Sequence, residues 1–156
     1  MTDASPDATR SITLRCAFCL TLNRIDAGRA DDRPMCGSCE RPFLLDRPVK
    51  VTDEDFDPLV RETDIPGLAD FYADWCGPCK IMAPVLDDVA RERKGEIVVA
   101  KVDTDANPVA SQKHGIRSIP TLVLFRDGEE AGRAVGAVPA DELAALIDAA
   151  PTDNEA

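Results

Sequence analysis

No run of about 18 apolar residues, the length a membrane-spanning helix needs, occurs in this 156-residue chain. The start, Met1-Thr2-Asp3-Ala4-Ser5-Pro6-Asp7, lacks the basic segment and apolar stretch of a secretory signal. A cytoplasmic location is therefore expected. Basic charge is also scarce: the net charge is -11, and residues 47–156 hold 12 basic against 22 acidic side chains, so nearly all of the excess lies there. Such a surface repels phosphate backbones and anionic lipid, which argues against nucleic-acid and membrane partners. Histidine occurs once, as His114. It precedes Gly115 near an expected helix end, where a cation suits the dipole, and is read as a surface residue. Any metal site must be built without it.

Cysteine is abundant. Six residues form three Cys-x-x-Cys pairs, and in a reducing compartment such pairs point to metal ligation or redox catalysis rather than to structural disulfides. Cys16 and Cys19 are followed, after sixteen residues, by Cys36 and Cys39. This is the spacing of a four-cysteine zinc ribbon or knuckle pair, because a two-residue gap lets one tight turn aim both sulfurs at one ion and two such turns complete a tetrahedron. The apolar residues nearby, among them Ile12, Leu14, Phe18, Leu20, Leu22, Ile25, Met35 and Phe43, are too few for an independent core. Metal binding would then supply most of the folding free energy. Zinc is expected, in a closed structural site or in one that releases the ion on thiolate oxidation; iron is the other metal for such a set.

The third pair, Cys76-Gly77-Pro78-Cys79, stands between the strand-like Leu68-Ala69-Asp70-Phe71-Tyr72 and a helix-like stretch from Lys80 to about Arg93. A cysteine at the start of a helix faces unpaired backbone N–H groups and the positive end of the aligned peptide dipoles, which stabilise a thiolate. Cys76 is the candidate nucleophile. In the helix that follows, Ile81, Met82, Val85, Leu86, Val89 and Ala90 recur at three and four, with a kink expected at Pro84. Thr52-Asp53-Glu54-Asp55 reads as a helix start, with Asp55 in the capping-box position. Ile97 to Val102 and Thr121 to Phe125 read as buried strands, Asp127-Gly128 as a hairpin turn, and Pro139 to Ala149 as a closing helix. The order β-α-β-α-β-α-β-β-α implies a mixed sheet with helices on both faces, an α/β fold.

Trp75-Cys76-Gly77-Pro78-Cys79-Lys80 resembles the active-site signature of the thioredoxin family. Asp70 matches the buried aspartate that the family places before the motif, Ile119-Pro120-Thr121 matches its cis-proline segment, and Gly136 in Val135-Gly136-Ala137 matches its late glycine. The likeness runs from about Val49 to Ala149, and the four cysteines ahead of it resemble the thioredoxin-2 type with an N-terminal zinc module. It implies a thioredoxin fold preceded by a small zinc-ribbon-like domain: an unstructured stretch over 1–11, a zinc module over 12–46, the thioredoxin domain over 47–150 and a tail over 151–156.

The resemblance further implies a protein-disulfide reductase. Cys76 attacks a target disulfide and Cys79 resolves the mixed disulfide, with Asp70 as proton acceptor and Lys101 beside it. Trp75, Gly77, Pro78, Ile119, Pro120, Gly136 and Ala137 would form the substrate surface. The implied partners are disulfide-containing proteins and an NADPH-linked flavoprotein, thioredoxin reductase; the chain would act as a monomer with zinc and no organic cofactor of its own. Asp70 could instead face solvent at a strand edge, and Trp75 could be a core residue. The competing function is a zinc-regulated, redox-sensing, chaperone-like binding protein that uses the same surface for contact. Gly67 and Ala69, weak strand residues where the family usually carries branched ones, predict looser packing of that strand.

Overall fold

The computed structural model describes residues 10–149, apart from the side chains of Asp31 and Ala149. Most of the stretch expected to be unstructured, and the tail over 151–156, lie outside the described residues. Two sheets are present: an antiparallel pair, β1 (Ser11–Arg15) and β2 (Leu22–Asp26), and a five-stranded mixed sheet. The latter comprises β3 (Val49–Lys50), β4 (Gly67–Tyr72), β5 (Val98–Asp103), β6 (Thr121–Arg126) and β7 (Glu129–Val135), in the order β3-β5-β4-β6-β7. Between the strands run α1 (Asp53–Glu62), α2 (Gly77–Glu92) and α3 (Pro108–Lys113), and α4 (Ala140–Ala149) ends the fold. The expected element order from β3 to α4 is the observed one.

Alternation along the central strands divides the core. Ala69 and Phe71 of β4 and Ala100 and Val102 of β5 face one layer with Phe56 and Leu59 of α1, whereas Leu68, Val99, Leu122 and Leu124 face Met82 and Leu86 of α2 and Leu143 and Ile147 of α4. Local signals agree with this packing. Thr52 is the N-cap of α1 and closes a capping box with Asp55, whose carboxylate accepts from the Thr52 N–H at 3.5 Å and from its hydroxyl at 3.0 Å. Asp127 and Gly128 both take positive φ, 55° and 83°, between β6 and β7, as a two-residue hairpin of this hand demands. A cavity of about 10 Å³ lies beside Gly67, Ala69 and Ala100, under α1. The small side chains of β4 thus leave the gap that their weak strand propensity suggested.

The cysteine-rich segment does not carry a core of its own. Ile12, Leu14 and Ile25 are buried in the same layer as Phe56 and Leu59, and fully burying each such side chain stabilises by about 1.5–3 kcal/mol. Polar contacts seal the joint. The Thr13 N–H donates to the Thr63 hydroxyl at 3.0 Å, and Arg15 pairs with Asp55 of α1. Ser11, expected within the unstructured stretch, begins β1 and is held by the Asp64 carboxylate, which accepts from its N–H at 2.8 Å and its hydroxyl at 3.0 Å. Leu45 is buried in the shared core while Leu44 remains exposed.

Candidate functional site

Cys76 and Cys79 are joined as a disulfide at the start of α2. Cys76 is the N-cap, and its sulfur accepts the Cys79 backbone N–H at 3.2 Å. The helix therefore begins at Gly77, three residues earlier than its apolar period alone suggested, and the dithiol sits within its first turn, where unpaired N–H groups concentrate positive potential. The Ile119–Pro120 peptide bond is cis, and the Ile119 carbonyl oxygen lies 3.8 Å from the Cys76 sulfur. Ala73, Cys76 and Cys79 form a small buried cluster with Tyr72 and Ile119 against it. Gly77, Pro78 and Ala137 are exposed and Gly136 half-buried. Trp75, at 71% exposure, is no core residue. Its indole N–H donates to the Asp105 carboxylate at 2.8 Å.

Asp70 is 1% exposed, which rules out a strand edge facing solvent. It pairs in register with Lys101 on β5 and Leu122 on β6, and its Oδ1 is buried with no hydrogen-bond partner in the protein. An ionised carboxylate without partners is costly in such surroundings. Desolvation lifts the Asp70 pKa from 3.8 to about 6, with the positive charge of Lys101 pulling the other way. Lys101 does not close on Asp70 as an ion pair: its ammonium stands 4.5 Å from the centre of the Tyr72 ring, a cation–π contact. Tyr72, which also packs against the cysteine cluster, thus holds the ammonium of the residue that is Asp70's register partner.

Cys16, Cys19, Cys36 and Cys39 converge, all four sulfurs lying within 4.8 Å of one another. The Cys16–Cys39 and Cys19–Cys36 sulfur separations are 3.6 and 3.5 Å. Tetrahedral bonds of about 2.3 Å to a zinc ion give sulfur–sulfur edges of about 3.8 Å, so the set fits a tetrahedral ion that favours thiolates. The two turns repeat each other. The N–H groups of Phe18 and Ser38 each donate to a cysteine sulfur at 3.4 Å, those of Leu20 and Glu40 donate to the carbonyls of Cys16 and Cys36, and Leu20 and Glu40 share a φ near +66°. Asn23 holds the second turn, its amide donating to the Cys36 sulfur at 3.4 Å and its carbonyl accepting the Gly37 N–H at 2.9 Å. The backbone N–H of Cys39, followed by that of Ser38 and the Asn23 amide, draws the Cys36 thiol down to about 6, while desolvation resists. Four cysteines so placed can hold a metal ion.

Sequence reasoning missed Asn23, Asp105 and the role of Tyr72. Nothing in the residues around them signals a contact; only the fold brings Asp105 to Trp75 and Asn23 to Cys36. His114 corrects an expectation. Its ring is packed among Phe56, Phe71 and Phe125, with centroids 5.1–6.4 Å away, and burial, with Lys113 next, lowers its pKa below 6.5. It stands at the end of α3 as expected, its C-cap, but its half-buried ring leans on the phenylalanines of the core, which favours the neutral form over the surface cation that the sequence suggested. Among the described residues no helix is long and apolar enough to cross a membrane.

Comparison with known proteins agrees with this geometry. Thioredoxin 1 of Nostoc sp. is 46% identical over 99 residues, covering 64% of this chain and 92% of its own. A thioredoxin of Pseudomonas aeruginosa is 48% identical over 101 residues, covering 65% and 94%. Among solved structures, a mutant thioredoxin from Halobacterium salinarum superposes with a TM-score of 0.63 at 40% identity, over 68% of this chain and 92% of that one. The thioredoxin family model matches residues 47–149, and with the dithiol at the head of α2 and the mixed sheet behind it, this chain belongs to the thioredoxin family.

Proposed function

We propose that the chain is a thiol-disulfide oxidoreductase that reduces protein disulfides with the Cys76/Cys79 dithiol. The observation that carries this reading is the Cys76–Cys79 pair in the first turn of α2, with the carbonyl of Ile119, which precedes cis-Pro120, 3.8 Å from the Cys76 sulfur. In the reduced protein Cys76 is the attacking thiolate, stabilised by the helix terminus. It forms a bond to one sulfur of the target disulfide as the target S–S bond breaks, and the leaving sulfur takes up a proton. Cys79, deprotonated with Asp70 as acceptor, then attacks the Cys76 sulfur. The mixed disulfide breaks, the Cys76–Cys79 bond forms, and the second target thiol leaves. Two electrons pass from the dithiol to the target, whose two sulfurs each take up a proton from solvent in exchange for those released by Cys76 and, through Asp70, by Cys79.

The exposed Trp75, Gly77, Pro78 and Ala137, with Ile119, Pro120 and Gly136, form the substrate surface in this reading, and the Ile119 backbone pairs with an extended substrate segment. Asp105 orients the Trp75 indole. Lys101 tempers the Asp70 carboxylate from its place over Tyr72. Cys16, Cys19, Cys36 and Cys39 hold one zinc ion, which supplies cross-linking and no chemistry at the dithiol; four protein ligands leave it no open position. Thioredoxin reductase is the proposed electron donor, and the setting is cytoplasmic.

Reductase-coupled consumption of NADPH with insulin as the disulfide substrate tests the function. The wild-type chain should turn over, Cys76→Ser should be inactive, and Cys79→Ser should accumulate a mixed disulfide visible by mass spectrometry. Trapping by the Cys76 variant alone would reverse the roles, and absence of turnover by the wild-type chain would refute the reading.

A further inference from the structure

An open groove of about 290 Å³ runs between the first cysteine turn and the outer edge of the five-stranded sheet. Leu14, Val51 and Leu59 are buried along its floor, and Phe18 and Leu44 rise at its rim with 61% and 46% of their surface exposed. One side is the two-residue β3, the outermost strand, which among the described residues pairs with β5 alone. Its free edge offers backbone groups to an incoming strand.

The charge here opposes that of the molecule. The chain carries -11, yet the groove is lined by Arg15, Arg47 and Lys50 with Asp55 as its single acid. Arg41 adds another cation, lying 4.3 Å from the centre of the Phe18 ring. Arg15 and Arg47 are already paired with Asp55 and Asp46, whereas Lys50 and Arg41 have no carboxylate partner among the described residues. A lysine on an edge strand discourages pairing with a like copy, and two copies at -11 repel each other. An acidic strand is spared the first obstacle, because its carboxylates meet Lys50 instead of a second lysine.

We propose that this groove binds an extended segment of a partner polypeptide in which apolar and acidic side chains alternate. Laid along β3, such a segment extends the sheet by one strand. Successive side chains of a strand point to opposite faces, so its apolar set enters the groove over Leu14 and Leu59 while its carboxylates remain outside, on the side of Lys50. Main-chain pairing supplies affinity and the alternation supplies selectivity, as in other cases of strand addition. The dithiol follows β4, which β5 separates from β3, so the groove is a second contact surface, distinct from the one around Trp75.

Binding here does not depend on thiol exchange, and a probe without cysteine tests it independently of the proposed activity. The probe is a fluorescein-labelled nine-residue peptide of alternating valine and glutamate; the control carries lysine in place of glutamate. Fluorescence anisotropy with the full zinc-loaded chain should show saturable binding of the acidic peptide only. Leu44→Asp and Lys50→Glu should each weaken it at least tenfold while leaving reduction of a small disulfide unchanged, and Lys50→Glu should gain affinity for the lysine peptide. Absence of saturable binding, equal binding of both peptides, or affinity unchanged in both variants would each overturn the proposal.

Discussion

Replacing Asp70 by Asn should stabilise the oxidised protein by an amount that depends on pH. In the unfolded chain the carboxyl ionises near 3.8, whereas the native state holds its proton to about 6. Below 3.8 both states are protonated and the group makes no pH-dependent contribution. As pH rises between those values the unfolded chain gives up its proton first, so stability falls, and above 6 the loss levels off. With about 1.36 kcal/mol for each pKa unit, the plateau is about 3 kcal/mol. The Asn amide brings its own cost of burial, since the Asp70 Oδ1 already lacks a partner, but that cost does not titrate. The decisive quantity is therefore the difference between Asp70→Asn and wild type followed from pH 4 to 8 by denaturant unfolding with the Cys76–Cys79 disulfide intact. It should grow by about 2.5 kcal/mol in favour of the variant, the part of the plateau that lies above pH 4, with its midpoint near pH 5. Lys101→Met, which removes the charge favouring the carboxylate, should push the midpoint of the wild-type titration higher. A difference that stays flat across this range would show that Asp70 is not a desolvated acid, and its place in the relay would fall with it.

Elemental analysis of Cys36→Ser should find well under the one equivalent of zinc expected for the wild-type chain, since a hydroxyl replaces one of four converging sulfurs. His114 should act on stability with the opposite slope to Asp70: its folded pKa is lowered, so its contribution is present above about 6.5 and is lost as pH falls through the folded value. Thermal unfolding of His114→Phe should therefore be less sensitive to acid than that of wild type over that range. Gly67→Ala should raise unfolding stability by about 0.5–1 kcal/mol, because the added Cβ meets the Val98 side chain at an ordinary 3.7 Å beside a small void; a loss measured by denaturant titration would contradict it.

The residues around the dithiol made much of this legible. The strand-like apolar run from Leu68 to Tyr72 and the three-and-four period after Lys80 position a cysteine pair at a strand-to-helix junction, and a carboxylate inside that run suggests burial, with a solvent-facing strand edge as the alternative. The paired cysteine spacing likewise anticipates four convergent sulfurs. What could not be read were contacts between distant segments. Thr13 meets Thr63 across fifty residues, Trp75 meets Asp105 across thirty, and His114 is drawn into a ring of phenylalanines from α1, β4 and β6. None of these pairs has a local period or spacing to betray it. Lys101 shows the same limit, since register places it beside Asp70 but only side-chain packing turns its ammonium onto Tyr72.

Kinship and mechanics divide this polypeptide at different places. The family match begins at residue 47, yet α1 and the sheet behind it rest on side chains contributed from Ile12 onward. A chain cut at the line of kinship would open a wound on α1: the apolar layer around Phe56 and Leu59 loses the cover of Ile12, Leu14 and Ile25, and Thr63 and Asp64 lose the β1 groups that donate to them. The shortened chain is thus not an ordinary family member relieved of an ornament. Its exposed scar should make it adhesive at concentrations where the whole chain stays dispersed, so light scattering has to accompany any measurement that assigns a change in turnover to the lost cysteines.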